Sequence, residues 1–279
     1  MSQVTTEPAR APFRLHRRFD RLGRLYGDAA LERLSRAHVL VIGLGGVGSF
    51  AVEALARSGV GRLTLVDFDR VCVTNTNRQL QALSVNVAKR KADVLAERAQ
   101  LIDPRLQVQA LPLFYGAPTA NRILRSDVDF AIDATDNVTA KCHLLAECRA
   151  RGLRVVTTLG SAGRTDPLAV TTSDLAKTKG DVLAADVRRV LRHEHGFPMR
   201  GSFGVRAVWS TEPARDPSPL AYDGDEGFHC VCPGGKNEHH SCEERVLVRG
   251  SASFVTGTFG LVAASVVVNA IARGEVPIP

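Results

Sequence analysis

Between residues 38 and about 158 the chain alternates short apolar runs with amphipathic stretches. His38-Val39-Leu40-Val41-Ile42, Leu63-Thr64-Leu65-Val66 and Val128-Asp129-Phe130-Ala131-Ile132 are nearly unbroken apolar runs, as expected of strands covered on both faces. The stretches between them carry a helical period. Ser49 to Arg57 predicts one helix. Ser84 to Asp103 predicts another, with Ala88, Ala92, Leu95, Ala99 and Ile102 on its apolar stripe and Lys91 at the stripe's edge, free to reach a ligand. Asp103-Pro104 ends that helix, and residues 138–151 predict a third. Such alternation is the pattern of a parallel sheet with helices on both faces.

The flanks read differently. Residues 1–36 form an arm and a first helix, Ala29 to Arg36, with Asp28 as its cap. Pro167 to Thr172 predicts a further strand, and Asp174 to His195 is mainly helical and charged. Residues 211–245 hold Pro, Gly, Asp and His with little periodicity, an irregular insert of a length that is usually functional or disordered. Phe254 to Ala272 is apolar apart from Thr256, Thr258 and Asn269. It opens with Thr and Gly, and reads as a buried core helix rather than a membrane anchor. The expected fold is therefore α/β: a Rossmann-like, mostly parallel sheet with helices on both faces, plus an irregular C-terminal insert and a terminal helix. Three parts follow along the chain. They are the arm and helix of residues 1–36, a Rossmann-like core of residues 37–173, and residues 174–279 as the C-terminal part of the same domain.

Composition narrows the picture a little. A chain of 279 residues can bury a full core. Lys and Arg number 36 against 29 acidic residues, and the resulting +7 favours a polyanionic partner without giving sequence specificity. Aromatic residues, at 5%, provide no stacking platform for single strands, so RNA binding would rest on cations and shape. Residues 1 to 17 contain Pro8 and Pro12 but no apolar core of a signal peptide, so a cytoplasmic, non-membrane protein is expected. Six cysteines in that setting argue against a disulfide scaffold.

The chemistry begins at Gly43-Leu44-Gly45-Gly46-Val47-Gly48, a glycine turn placed between the first strand and a helix. Glycines there let backbone N–H groups approach a phosphate at the positive end of a helix dipole. Asp67 ends the next strand 19 residues after Gly48, where an acidic group suits ribose hydroxyls. Gly43, Gly45 and Gly48 also satisfy the dinucleotide fingerprint, so the following residues decide which nucleotide is meant. Asp69, Asn75 and Arg78 come next, and Lys91 lies 13 residues past Arg78. Side-chain cations and an amide donor suit a triphosphate better than a pyrophosphate already held by a helix end. Taken singly, Arg78 and Lys91 read equally well as solvated surface charges. At the end of the third strand Asp133-Ala134-Thr135-Asp136-Asn137 brings another carboxylate to the same crevice. Asp136 near a triphosphate calls for an intervening divalent cation, so it is the candidate magnesium contact; it also suits the cap of the helix that follows.

Together Gly43 to Ser49, Asp67-Phe68-Asp69, Asn75-x-x-Arg78-Gln79, Lys91 and Thr135-Asp136-Asn137 resemble the adenylating domain of ubiquitin-activating-like enzymes, in register from about Arg18 to Ala150. That superfamily includes the activators of the molybdopterin and thiamine sulfur-carrier proteins. Val71 to Gln79, Arg24-Leu25-Tyr26-Gly27 and Asp174-Leu175-Ala176-Lys177-Thr178 are most similar to its tRNA-acting branch, the threonylcarbamoyladenosine dehydratases. The resemblance implies that Gly43, Gly45, Gly46, Gly48, Asp67, Asp69, Asn75, Arg78, Lys91 and Asp136 hold ATP with Mg2+, with Arg78, Lys91 and Asp136 serving the reaction. It implies a homodimer in which Arg18 or Arg21 reaches the partner's triphosphate. It also implies ATP-dependent cyclising dehydration of a modified adenosine in tRNA, through a carboxyl-adenylate. A sulfurtransferase or sulfur-carrier protein would be a further partner.

Other readings remain. Adenylation of the C-terminus of a ubiquitin-like sulfur carrier is the nearer one, although the paired cysteines usual in those activators are absent. A nicotinamide oxidoreductase fits the glycines and Asp67 but leaves Asn75, Arg78 and Lys91 unexplained, and a partner-binding pseudo-enzyme is a third class. The sequence departs from the family pattern at Leu159-Gly160-Ser161-Ala162-Gly163-Arg164 and in the loop from Cys230 to Cys242. That loop joins Cys230, Cys232 and Cys242 to His239 and His240, a sulfur and nitrogen set able to make a structural zinc site. A catalytic thiol or a plain loop of reduced thiols would give the same sequence.

Overall fold

The computed structural model describes residues 17–220 and 249–275. Seven strands form one sheet: β1 His38–Ile42, β2 Arg62–Val66, β3 Gln107–Leu111, β4 Phe130–Asp133, β5 Arg154–Thr158, β6 Val170–Asp174 and β7 Arg206–Ser210. Their order is β3-β2-β1-β4-β5-β7-β6, parallel throughout except for the antiparallel pair of β6 with β7 at one edge. The Rossmann-like α/β expectation therefore holds, with the chain running outward from β1 in one direction and from β4 in the other. Between those two strands lies the topological switch point, where ligands of such sheets sit.

Alternate side chains of the strands enter two cores. Val39, Val41, Leu63 and Leu65 pack with α2 (Asp28–Arg36), α3 (Gly48–Arg57), α4 (Lys91–Ile102) and α8 (Ser253–Arg273). Leu40, Ile42, Val66 and Ala131 pack with α5 (Ala117–Ile123) and α6 (Val138–Ala150) on the other face. A third cluster joins α6 to α7 (Val182–Glu194) and β7. The apolar terminal segment is a core helix: Val255, Phe259, Ala263 and Val267 are fully buried. Gly257 and Gly260 allow α8 to lie directly on α3, because a Cβ on Gly260 would stand 2.2 Å from the Val47 carbonyl oxygen.

Four expectations shift. The helix expected from Ser84 begins at Lys91, after a short 3-10 turn at Ser84–Asn86. Ala88 interrupts it with a left-handed φ of 71°, a conformation an α-helix cannot contain. Residues 167–169 form a 3-10 turn, and the strand expected there runs Val170–Asp174. Asp174 ends that strand, so the helix expected from Asp174 starts only at Val182, capped by Asp181. The helix expected over Ala29 to Arg36 is α2, but Asp28 lies inside it without capping it, and a further helix, α1 (Asp20–Tyr26), precedes it across Gly27. The expected Cys230, Cys232, Cys242, His239 and His240 cluster lies outside the described residues.

Candidate active site

The glycine turn leaves β1 at Ile42 and enters α3 at Gly48. Gly43 has φ +85°, and a Cβ there would stand 2.6 Å from the Ala134 carbonyl oxygen at the exit of β4. A Cβ on Gly48 would overlap the Gly43 carbonyl. These two glycines are required by the fold itself. Gly45 is not: its Cβ would meet nothing nearer than Gln79 Nε2, at 3.9 Å. No side chain caps the N-terminus of α3; the Ser49 N–H donates to the Gly45 carbonyl at 3.1 Å, while the Gly48 and Phe50 N–H groups make no bond among the described residues and are left for a ligand. The turn thus fits a phosphate chain.

Asp67 secures the turn from beneath. Its Oδ2 accepts the Leu44 N–H at 2.7 Å and its Oδ1 accepts the Asp69 N–H at 2.8 Å. Burial pushes its carboxyl above the ordinary carboxylate value, with the Asp69 charge adding and Lys91 opposing. Lys91, the first residue of α4, is also buried; its Nζ donates to Asp69 Oδ2 at 2.8 Å. Burial alone would lower its pKa, but the carboxylates of Asp67 and Asp69 outweigh that, and the ammonium is held above the ordinary lysine value. Lys91 is therefore a fixed cation in the wall of the crevice, paired with Asp69, rather than the unattached arm expected from the sequence.

The loop after β2 is latched onto the glycine turn. Gln81 Nε2 donates to the Leu44 carbonyl at 2.6 Å, and the Leu80 N–H donates to Ser49 Oγ at 3.3 Å. The latch brings Arg78 against Gly46, where an added Cβ would come within 3.2 Å of Arg78 Cγ and 3.0 Å of Thr256 Oγ1. Arg78 Nη1 donates to the Thr74 carbonyl and to Asn77 Oδ1, both at 2.9 Å. Asn75 is buried, and its Oδ1 accepts the Cys72 N–H at 3.1 Å.

Asp136 stands exposed at the carboxyl end of β4 and makes no ion pair among the described residues. The helix cap is its neighbour: Asn137 Oδ1 accepts the Ala140 N–H at 2.9 Å. The loop carrying Asp136 is held by Asp133, whose Oδ1 accepts the Thr135 N–H at 3.1 Å and hydroxyl at 2.7 Å. Arg18 and Arg21 lie elsewhere. Arg18 donates to Asp103 at 2.7 Å, just beyond the far end of α4 from Lys91, and Arg21 is exposed on α1.

Four contributors escaped the sequence reading: Gln81, Ser49, Thr256 and Lys141. Lys141 had a legible signal, since it shares the buried spacing of Leu144, Leu145 and Cys148 along α6. The Gly257 to Gly260 spacing in α8 similarly marks a close helix approach. Gln81 gave no signal, and Ser49 was legible only as the end of the glycine motif; the folded latch gives both their roles.

The ThiF family matches residues 19–277. The chain is 41% identical to a tRNA threonylcarbamoyladenosine dehydratase of Haemophilus influenzae, covering 92% of this chain and 94% of that one. It is likewise 41% identical to the dehydratase of that name from Escherichia coli, over 89% and 91% of the two chains. The crystal structure of the E. coli enzyme TcdA in complex with ATP superposes with a TM-score of 0.78 at 39% identity, over 92% of this chain and 94% of that one. This chain belongs to the ThiF family.

Proposed function

We propose that the protein is an ATP-dependent tRNA threonylcarbamoyladenosine dehydratase. The observation that carries this reading is the wall beside the glycine turn, where Arg78 packs against Gly46, Asn75 is buried in the same loop and Lys91 is paired with Asp69. A nicotinamide site has no use for those cations, whereas a triphosphate does. Family membership along nearly the whole chain supports the substrate.

In the reaction, a carboxylate oxygen of the threonyl group forms a bond to the α-phosphorus of ATP, and the bond to pyrophosphate breaks. An internal nucleophile of the same nucleoside then attacks the activated carbonyl, closing a ring and expelling AMP. The oxygen lost from the carboxylate leaves on AMP, so the net change is loss of water. The chain's task is positioning and charge neutralisation. The glycine turn and the first turn of α3 hold phosphate oxygens. Asp67 keeps the turn in shape by accepting the Leu44 and Asp69 N–H groups. Lys91 and Arg78 stabilise negative charge as it builds on the phosphorus and on the departing pyrophosphate. Asp136 would hold Mg2+, an ion that takes one or two carboxylates and completes its shell with phosphate oxygens and water. Its position at the strand end, exposed and unpaired, suits that role.

The assembly that fits is a homodimer. Arg18 and Arg21 cannot serve the crevice of their own chain from beyond the opposite end of α4, so an arginine reaching the triphosphate would come from a second copy. Leu25, Phe254 and Leu261 leave exposed apolar surface on α1 and α8, which Tyr26 and Asn269 join through a 3.2 Å hydrogen bond.

The test is ATP turnover with tRNA carrying threonylcarbamoyladenosine, following the nucleoside by mass spectrometry. A product lighter by one water, formed only with ATP, is expected. ATP–pyrophosphate exchange that needs a small ubiquitin-like protein and ignores the tRNA would replace this reading with sulfur-carrier activation.

A further inference from the structure

Beside the Lys91–Asp69 pair the chain makes a short two-stranded crossing that none of the steps above uses. Arg70 and Arg90 face each other across an isolated antiparallel bridge. Val71 N–H donates to the Lys89 carbonyl at 2.8 Å and Ala88 N–H donates to the Val71 carbonyl at 2.9 Å, closing the crossing. Its turn runs through Ala88, the one non-glycine with positive φ among the described residues. A left-handed alanine is strained and persists only where the surroundings enforce it.

That turn decides where three consecutive cations point. Lys91 goes inward to Asp69, while Lys89 and Arg90 are left exposed on the outside, next to exposed Arg70. Arg70 Nη1 donates to the Ala88 carbonyl at 2.8 Å, and Lys89 Nζ donates to Asn86 Oδ1 at 3.3 Å, so both are anchored by neutral groups. Among the described residues none of the three has a carboxylate partner, and the nearby exposed Asp93 pairs with none of them. Three like charges are thus gathered on one ridge at the rim of the crevice. An apolar shelf adjoins it, with Val85 76% and Leu83 53% exposed in the turn that holds Asn86. Uncompensated cations on a rigid ridge are the footprint of a phosphate backbone, and an apolar shelf suits an unstacked base.

We infer that Arg70, Lys89 and Arg90 form an RNA-backbone ridge that holds the strand flanking the reacting nucleotide. The inference rests on the tRNA reading of the site and assigns a specific surface to it. The ridge is assigned to the RNA and not to ATP because Arg70 and Lys89 are bonded to Ala88 and Asn86, outside the glycine turn, and Lys91 alone of the run is buried against Asp69.

The test uses two variants of the full-length protein: Lys89→Gln/Arg90→Gln, which leaves Arg70 and its Ala88 bond in place, and the triple variant with Arg70→Gln. Threonylcarbamoyladenosine tRNA is the probe, at several salt concentrations, with the KM for ATP measured alongside. The expected result is a rise in Kd and KM for tRNA of about tenfold or more, with the KM for ATP unchanged. The slope of log Kd against log salt should become shallower by about one for each phosphate left without its cation. Unaltered tRNA affinity and salt slope in both variants, with the wild type active on tRNA, would overturn the ridge alone. A wild type that neither binds nor changes tRNA would overturn the tRNA reading and the ridge with it. An equal loss of ATP and tRNA affinity would also overturn the ridge, marking these residues as supports of Lys91.

Discussion

Lys141 Nζ donates to Asp133 Oδ2 at 2.6 Å, and both side chains are fully excluded from solvent. Thr157 completes the arrangement: its hydroxyl donates to the same carboxylate oxygen at 2.7 Å and lies 3.1 Å from Lys141 Nζ, which also donates to the Thr158 carbonyl at 3.0 Å. The group ties the ends of β4 and β5 to α6. It also fixes the other carboxylate oxygen of Asp133, from which the Thr135-Asp136 loop hangs.

Removing the lysine should therefore be costly. Breaking a buried ion pair by deleting one partner costs about 3–5 kcal/mol, because the remaining charge keeps its desolvation penalty. Lys141→Met is expected to lower the melting temperature by about 10 °C and to reduce turnover through the loosened Asp136 loop. Arg24→Gln, which breaks an exposed pair with Asp20, should leave the melting temperature unchanged. Equal melting temperatures for all three proteins would contradict this account of the network.

Lys91 and Asp136 should separate stability from activity. Lys91→Ala leaves Asp67 and Asp69 together without their cation, so activity and about 3 kcal/mol of stability should both be lost. Asp136→Ala removes an exposed, unpaired carboxylate and should abolish turnover with an unchanged melting curve. Calorimetry and an AMP-release assay on both variants check this. Wild-type turnover in either one would remove it from the reaction.

Two glycines of one turn should fail in different ways. Gly43→Ala meets a left-handed φ and the Ala134 carbonyl, and is expected to destabilise the fold by about 3 kcal/mol. Gly45→Ala has room in the protein, and its methyl would crowd the phosphate chain proposed for the turn. It should keep full stability while weakening ATP binding by about tenfold. ATP titration by calorimetry, with melting curves in parallel, distinguishes them; normal ATP affinity in Gly45→Ala would place the phosphates elsewhere.

Acid should weaken the fold through His38. Its ring is buried between the Asp127 carbonyl, 3.0 Å from Nδ1, and the Thr64 hydroxyl, 2.8 Å from Nε2. Burial, helped by the Arg62 charge, lowers its pKa from the ordinary 6.5, against the pull of Asp127 and Asp129. The unfolded chain then binds more protons than the folded one between the two values. Stability from this group is full above 6.5 and is lost as pH falls toward the lower folded value. The carboxylates with lowered pKa, Asp103, Asp127 and Asp174, add losses only at more acid pH. Melting temperature against pH should therefore slope downward just below 6.5 in the wild type, and His38→Gln should flatten that segment.

Much of this protein is legible in one dimension. The apolar runs at β1, β2 and β4 determine a doubly covered parallel sheet, since only burial on both faces removes the need for alternation. The glycine turn, Asp67, Arg78 and Lys91 could be picked out by residue type and by spacing from a strand end, and the fold gathers them around one crevice, with Asp67 on the Leu44 N–H, Arg78 against Gly46 and Lys91 on Asp69. Tertiary structure alone decided the rest. Whether Lys91 is a loose arm or a buried cation depends on Asp69, a partner brought to it by the crossing at Ala88. The helix start at Lys91 depends on a backbone angle that alanine propensity argues against. Gln81 and Ser49 matter only because the loop after β2 folds back onto the glycine turn. Local pattern reports what each segment can bury or bind; which groups meet across long stretches of chain is set by packing of the whole core, as with Gln81 on Leu44.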